Sequence, residues 1–184
     1  MLDVCYAVVT HTSILIRGVL SMANAQTIRT LNELIIVSRD GERGFRACAA
    51  HVRSERLRAL FVERSRSCAQ AAEELARMVH ELGGEPVTDS STFGALHRRW
   101  LDIRAVFSSS DDGTIVAECE RGEDYALEIY RNALDDHLPD PVRRIVLQQF
   151  EGVMNNHDQI RVLGNEALAR GCATAAPPAS ELAS

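Results

Sequence analysis

A long proline-free stretch constrains the fold of this chain most strongly. The first proline is Pro86, and before it apolar side chains recur at the three- and four-residue spacing of an amphipathic helix. One apolar stripe runs from Leu31 to Val52. Ser54, a residue type that caps helix N-termini, precedes a second stripe from Leu57 to Val79. The pair Gly83-Gly84 then favours a helix stop, so the stretch predicts two consecutive long helices.

The second half of the chain repeats this pattern. A third stripe runs from Val116 to Leu134, after a predicted N-cap at Asp111 or Asp112. The dipeptide Asp140-Pro141, an N-cap followed by a proline at the first helical position, predicts the start of a fourth helix. Its stripe runs from Val142 to Leu163. Each predicted helix is about 35 to 45 Å long at the usual rise per residue.

The connections between these helices predict their topology. The first and second helices, and the third and fourth, are joined by short links, which favour antiparallel pairs. Residues 83–110 are long enough to run back along the bundle, and they contain a predicted short helix over residues 93–107. The sequence therefore predicts an all-α, ferritin-like four-helix bundle with one long crossover between helices two and three that carries a short extra helix.

Both ends of the chain differ from this bundle, which is expected over residues 22–170. Residues 1–21 are apolar and β-branched, and three interpretations remain open for them. They are an untranslated extension upstream of a true start at Met22, a loosely packed arm, or an export signal cleaved after the small residues Ala23-Asn24-Ala25. Residues 171–184 are rich in Ala, Ser and Pro and are predicted to be a flexible tail.

Charge and cysteine usage narrow the class of protein. The net charge is −6, and all 20 positive side chains are arginines distributed over the four predicted helices. The absence of a basic stripe and of a long apolar run argues against a nucleic-acid binder and a membrane protein. The five cysteines form no C-x-x-C pair, and their odd number in a chain without a convincing export signal indicates reduced thiols in the cytoplasm. Cys48, Cys68 and Cys119 lie on apolar stripes and are expected to be small buried side chains.

Several separated strings of residues resemble a known family. They are LNELI at 31–35, RDGERGF at 39–45, LGGEP at 82–86, ALHRRW at 95–100, ECERGED at 118–124 and HDQIR at 157–161. Over about residues 27–163 the chain is similar to a bacterial family of ferritin-like four-helix-bundle proteins known mainly as a domain of unknown function. This resemblance implies the fold and says little about activity.

The metal chemistry of ferritin-like proteins depends on a motif that this chain lacks. A di-iron site takes Glu-x-x-His from two of the four helices, and no Glu-x-x-His occurs here. Glu42 and Glu123 nevertheless lie on apolar stripes, with Glu63 and His157 at comparable depth. Glu123 and Tyr130 have the spacing of a Glu-x6-Tyr element found in several ferritin-like proteins. The candidate ligands of iron or another divalent ion are therefore Glu42, Glu63, Glu123 and His157, and Tyr130 is expected to lie beside them without binding the ion.

A second interpretation of the same residues is a buried polar layer without metal, in which Glu123 accepts a hydrogen bond from Tyr130, His157 or an arginine. Four glycines, Gly41, Gly44, Gly122 and Gly152, fall near this layer and indicate either close helix approach or a break at Asp40-Gly41. We therefore carry two functional hypotheses. The first is a non-enzymatic interaction or stress-associated module with a buried polar layer, which is expected to form a homodimer or a larger homo-oligomer through exposed faces of the bundle. The second is an iron-binding oxidoreductase or iron-handling protein.

Overall fold

Four long helices form the described part of the molecule. The computed structural model describes residues 2–88 and 111–174, with side-chain surroundings for residues 22–88 and 111–166. These residues contain no strand, and the helices are α1 (Leu2–His51), α2 (Glu55–Glu81), α3 (Asp112–Asp135) and α4 (Asp140–Thr174). The predicted all-α class is confirmed. Within the same ranges no helix has the length and apolar character needed to cross a membrane.

The predicted helix boundaries follow the capping residues. The Ser54 hydroxyl accepts a hydrogen bond from the Leu57 N–H at the start of α2, and the Asp111 carboxylate accepts one from the Thr114 N–H at the start of α3. Gly83 has a φ of +80°, the left-handed conformation in which a helix C-terminus commonly ends. α4 begins at Asp140, at the predicted Asp-Pro signal.

The first helix is longer than its apolar stripe predicted. Residues 2–21 continue α1 as helix, and no proline is present in this part of the chain to interrupt it. α1 also runs unbroken through Asp40 and Gly41. A Cβ added at Gly41 would lie 3.0 Å from the Cys68 Sγ atom, so close approach of α1 to α2, and no break, accounts for this glycine.

Two further boundaries concern the crossover and the tail. α4 extends to Thr174, beyond the predicted start of the tail at residue 171. The predicted short helix over residues 93–107 and residues 175–184 lie outside the described residues.

The side chains of the core show how the helices are arranged. α1 contacts α2 and α3, and α4 contacts α3 and α2. One hydrophobic cluster joins the end of α1 to the starts of α2 and α3 and to the second half of α4: it includes Val52, Phe61, Ile115 and Ile160. The other joins earlier α1 residues to the ends of α2 and α3 and to the start of α4: it includes Leu34, Val79, Ala133 and Val146. α2 and α3 are therefore parallel, as the long crossover predicted.

Polar contacts at both ends of the bundle hold this arrangement. The Asp112 carboxylate at the start of α3 accepts hydrogen bonds from the Arg53 and Ser54 N–H groups at 2.7 and 2.9 Å, which places it beside the start of α2. At the opposite end, the Thr30 hydroxyl on α1 donates to the Asp136 carboxylate at 2.7 Å. The two hydrophobic clusters thus lie at opposite ends, and the middle of the bundle lies between them.

Candidate functional site

A cavity of about 200 Å³ occupies the middle of the bundle, and all four helices line it. Its walls are mostly apolar, with Val37 and Phe45 from α1, Ala71 from α2 and Val153 from α4. Exposed Arg121 and Gly152 are also among its lining residues, so the cavity reaches the surface between α3 and α4. An apolar cavity of about 150 Å³ is large enough to bind benzene, and this cavity is therefore of ligand size.

A chain of hydrogen bonds through Tyr130 crosses all four helices beside this cavity. The Tyr130 hydroxyl on α3 donates to the Gln149 side-chain oxygen on α4 at 3.0 Å. Because that bond uses the only hydroxyl proton of Tyr130, the Ser38 hydroxyl on α1 is the donor in its 3.1 Å bond to Tyr130. The Gln149 amide then donates to the Glu74 carboxylate on α2 at 2.8 Å. Tyr130 is thus buried with its hydrogen-bonding capacity satisfied.

Glu123, on the same helix as Tyr130, has very different surroundings. Glu123 is 4% exposed, and its Oε2 atom is buried without a hydrogen-bond partner. The pKa of Glu123 is raised to about 8, mainly by burial; Arg64 opposes this shift and Asp124 contributes to it. The carboxyl group is consequently protonated and neutral over most of the physiological pH range. A neutral carboxyl group can donate one hydrogen bond and accept others.

Arg64 on α2 is the positive group that acts on Glu123. Its Nη2 donates to the Gln159 side-chain oxygen on α4 at 2.7 Å, while its Nε is buried without a partner. Among the described residues, the Arg64 Nε and the Glu123 Oε2 are the two buried side-chain nitrogen or oxygen atoms that lack a hydrogen-bond partner. Buried polar groups are usually hydrogen-bonded, so these two atoms are exceptions. They leave one free donor on α2 and one free acceptor on α3.

The other predicted ligands do not line the cavity with Glu123. Glu42 forms an ion pair with Arg46 on the same helix, and Glu63 is exposed on α2. The His157 Nε2 lies 3.1 Å from an Asp124 carboxylate oxygen, and its Nδ1 lies 3.5 Å from one of Asp158. Of the five predicted site residues, only Glu123 and Tyr130 line the cavity. The predicted partners Tyr130 and His157 do not hydrogen-bond to the free Oε2 of Glu123.

The residues of the cavity do not fit the di-iron centre that the fold implies. Across the part of the chain with described side chains, no group of three or more His, Cys, Asp and Glu residues could hold a metal ion. A di-iron centre needs carboxylates and histidines from four helices. Here the cavity instead offers a neutral carboxyl group, a tyrosine that is already hydrogen-bonded, and thiols. Burial raises the pKa of the Cys68 thiol to about 12, so this thiol is protonated at neutral pH.

Several residues of the site were not identified as functional from the sequence. Ser38 and Gln149 are polar residues on predicted apolar stripes, and that pattern was the available signal for a buried hydrogen bond. Arg64 carried no such signal, because its position is only partly buried. Three of the four central glycines, Gly41, Gly122 and Gly152, line the cavity. The predicted close helix approach holds at Gly41 but not at Gly152, where an added Cβ would meet no atom within 4 Å.

Solved structures share this fold at low sequence identity. A bacterioferritin-related protein from Bacteroides fragilis, described as a dodecameric thioferritin, matches with a TM-score of 0.65 and 16% identity, over 82% of this chain and 90% of that one. A two-domain protein from Anabaena variabilis, with DJ-1/ThiJ/PfpI-like and ferritin-like domains, matches with a TM-score of 0.63 and 16% identity, over 84% of this chain and 40% of that one. At this identity the likeness shows a ferritin-like fold.

Sequence comparison identifies the family. None of the curated proteins compared matches the chain significantly. A family model described as a domain of unknown function (DUF2383) matches residues 26–136, which extend from α1 to the end of α3. This match confirms the resemblance found in the sequence strings. The chain is a member of the DUF2383 family, built on a ferritin-like four-helix bundle.

Proposed function

We propose that this protein is a non-enzymatic ferritin-like bundle whose central cavity binds a small, mostly apolar molecule with one polar head group. The observation that carries the proposal is the free Oε2 of Glu123 in the wall of an otherwise largely apolar cavity. Ligand sites commonly combine apolar walls with a few polar groups that fix orientation. In this site Glu123 is the polar anchor, and the apolar body of the ligand contacts Val37, Phe45 and Val153.

The charge state of Glu123 favours a basic head group. An aliphatic amine arrives as an ammonium ion, and its positive charge stabilises the ionised carboxylate. Because Glu123 has a pKa of about 8 before binding, formation of the ion pair at pH 7 releases its proton to solvent. An alcohol of the same shape hydrogen-bonds to the neutral carboxyl group and releases no proton.

A matched pair of probes tests this proposal. Cyclohexylamine and cyclohexanol are titrated into the protein by calorimetry at pH 7 in buffers of different ionisation enthalpy. The amine is expected to release close to one proton per site, and the alcohol none. Glu123→Gln is expected to weaken amine binding by about tenfold to a hundredfold, the cost of a lost charge-assisted hydrogen bond. Glu128→Gln, the same change at an exposed position of α3, is the control.

The proposal has two clear contrary outcomes. If neither probe binds at about 10 mM, a concentration that detects even weak affinity, the cavity is not a site of this kind. If Glu123→Gln and Glu128→Gln bind the amine equally well, the cavity is a site but Glu123 is not its anchor.

A second candidate is a divalent-metal site that includes Glu123, and its support is the single buried carboxylate oxygen without a partner, because the described residues contain no group of three or more His, Cys, Asp and Glu that could hold a metal ion. Iron is the metal suggested by the ferritin-related name of the Bacteroides fragilis protein. Elemental analysis of protein from iron-rich medium distinguishes the candidates. About one ion per chain, lost in Glu123→Gln, supports the metal site, and less than about a tenth of an ion removes it.

We also propose that the protein is a cytoplasmic homo-oligomer, at least a dimer. α4 exposes Leu147, Met154 and Val162 by 44%, 45% and 58%, which is apolar surface suited to a second copy. The similar Bacteroides fragilis protein is described as a dodecamer. Light scattering coupled to gel filtration should report a multiple of 20.3 kDa, and Val162→Glu should reduce it. A monomer at about 0.1 mM contradicts this part of the proposal.

A further inference from the structure

Two buried cysteines from different helices face one another near the cavity. Cys48 on α1 and Cys119 on α3 are 0% and 2% exposed, and their Sγ atoms lie 3.0 Å apart. A disulfide bond has a sulfur–sulfur distance of about 2.05 Å, so closure requires a movement of only about 1 Å. Both residues are free thiols in this structure.

The two thiols differ in access. Both cysteines belong to the end cluster with Val52 and Phe61, but only Cys119 also lines the central cavity. Because the cavity reaches the surface at Arg121 and Gly152, a small molecule that enters it can contact Cys119, and also Cys68 in the same wall, but not Cys48. The pair therefore has one accessible sulfur and one sulfur positioned behind it, the arrangement of an attacking and a resolving cysteine.

We propose that Cys48 and Cys119 form a two-electron redox pair that a small hydroperoxide entering the cavity oxidises to a disulfide. The Cys119 sulfur attacks the peroxide, the O–O bond breaks, and the products are a Cys119 sulfenic acid and an alcohol, or water from hydrogen peroxide. The Cys48 sulfur then attacks the sulfenic sulfur and expels water. The peroxide is reduced by two electrons, both thiol protons leave in the products, and an external dithiol restores the pair.

The surroundings of the pair predict a slow reaction. Burial raises the pKa of the Cys119 thiol, and its hydrogen bond with Cys48 and the nearby Glu123 raise it further. The reactive thiolate is therefore scarce at neutral pH. This property suits a pair that stays reduced in the cytoplasm and changes state only under sustained peroxide. The inference does not depend on the ligand proposed for the cavity.

Oxidation would link two helices that are far apart in sequence. Cys48 and Cys119 are separated by 71 positions, and a bond between them closes a long loop that joins α1 to α3. Long closed loops restrict the unfolded chain strongly. The oxidised protein is expected to melt at a temperature higher by roughly 5 to 15 °C than the reduced protein.

The test uses a variant in which Cys5, Cys68 and Cys172 are each changed to Ser, leaving only the pair. After treatment with hydrogen peroxide, the expected result is loss of both free thiols, a mass decrease of about 2 Da, and a peptide that links Cys48 to Cys119. Dithiothreitol should reverse all three changes. Peptide mapping of the unaltered chain gives the same information if the triple variant folds poorly.

Two single variants assign the roles of the cysteines. With Cys48→Ser, Cys119 should accumulate as a sulfenic acid that dimedone traps. With Cys119→Ser, Cys48 should remain a thiol, because it does not line the cavity. The proposal is overturned if the pair stays reduced in peroxide while the unfolded protein reacts, or if each cysteine gains oxygen without the two becoming linked.

Discussion

Glu123 and Tyr130 lie about two helical turns apart on α3, and both are buried beside the same cavity. Tyr130 has hydrogen-bond partners on α1 and α4, and this series of hydrogen bonds continues to α2. The Glu123 Oε2 has none. Burial raises the pKa of Tyr130 to about 12 and that of Glu123 to about 8.

This difference separates a structural role from a functional one. The tyrosine is neutral at every physiological pH, and its hydroxyl connects the helices of the bundle. The carboxyl group opposes folding once it ionises, because a buried charge without a partner is unfavourable. A residue that served stability alone would be apolar or paired at this position. We therefore assign the satisfied chain through Tyr130 to the fold, and the free group of Glu123 to binding.

The largest expected effect concerns the pH dependence of stability. The pKa of Glu123 is raised from the ordinary 4.5 to about 8 in the folded protein. Between these values the folded state holds one more proton than the unfolded state, so the free energy of unfolding falls as pH rises, by up to about 1.4 kcal/mol per pH unit. Glu123→Gln removes this contribution, and the variant should be the more stable protein at pH 8 by several kcal/mol, about 4 at most.

Urea denaturation at pH 5.5, 7 and 8.5 measures this difference. The quantity to compare is the gap in unfolding free energy between the natural protein and Glu123→Gln, which should widen as pH rises. Glu128→Gln removes an exposed carboxylate from the same helix and should leave the pH profile of the natural protein unchanged. A constant gap for Glu123→Gln would mean that Glu123 titrates alike in the folded and unfolded states.

The next effect is the loss of the Tyr130 hydroxyl. Tyr130→Phe leaves the Ser38 hydroxyl without its acceptor and the Gln149 side-chain oxygen without its donor, and should destabilise the protein by about 1 to 3 kcal/mol. The double variant with Ser38→Ala should lose less than the sum of the two single changes, with a coupling of about 0.5 kcal/mol or more. Additive losses in denaturation experiments would show that the hydrogen-bond chain is not cooperative.

The smallest expected effect concerns Gly152, which lines the same cavity as Glu123 and Tyr130. A Cβ at Gly152 meets no atom within 4 Å, so Gly152→Ala should stabilise α4 by about 0.5 to 1 kcal/mol through helix propensity. Gly164→Ala on the same helix is the matched change, because its Cβ would lie 2.7 Å from a Val116 methyl carbon. That variant should be less stable than Gly152→Ala by thermal denaturation. Equal melting temperatures would contradict the difference in packing at the two glycines.

Local signals were sufficient to predict most of the fold. The caps at Ser54 and Asp111, the stop at Gly83 and the Asp140-Pro141 start each act within a few residues, so the sequence contains them in full. The long crossover then predicted parallel α2 and α3. The extension of α1 to Leu2 was missed, because residues 2–21 lack the helical stripe that identified the other segments.

The candidate site was harder to predict because it depends on pairing across helices. Position on an apolar stripe correctly indicated that Glu123 is buried. The same pattern predicted that Glu42 points inward, but Glu42 forms an ion pair with Arg46 on its own helix. His157 lies near the level of Glu123, as expected, but its ring contacts the Asp124 carboxylate. Cys48 and Cys119 were expected to be buried, and both are, yet only the packing of α1 on α3 brings their sulfurs together.

The ionisation of Glu123 is the most direct test of this account. Carbon-13 NMR of glutamate-labelled protein follows each side-chain carboxyl group through a pH titration, and the Glu123 signal is assigned by its absence in Glu123→Gln. The Glu123 signal is expected to titrate near pH 8. A Glu123 signal that titrates between about pH 4 and 5, the ordinary range for glutamate, would contradict a buried neutral anchor in the cavity.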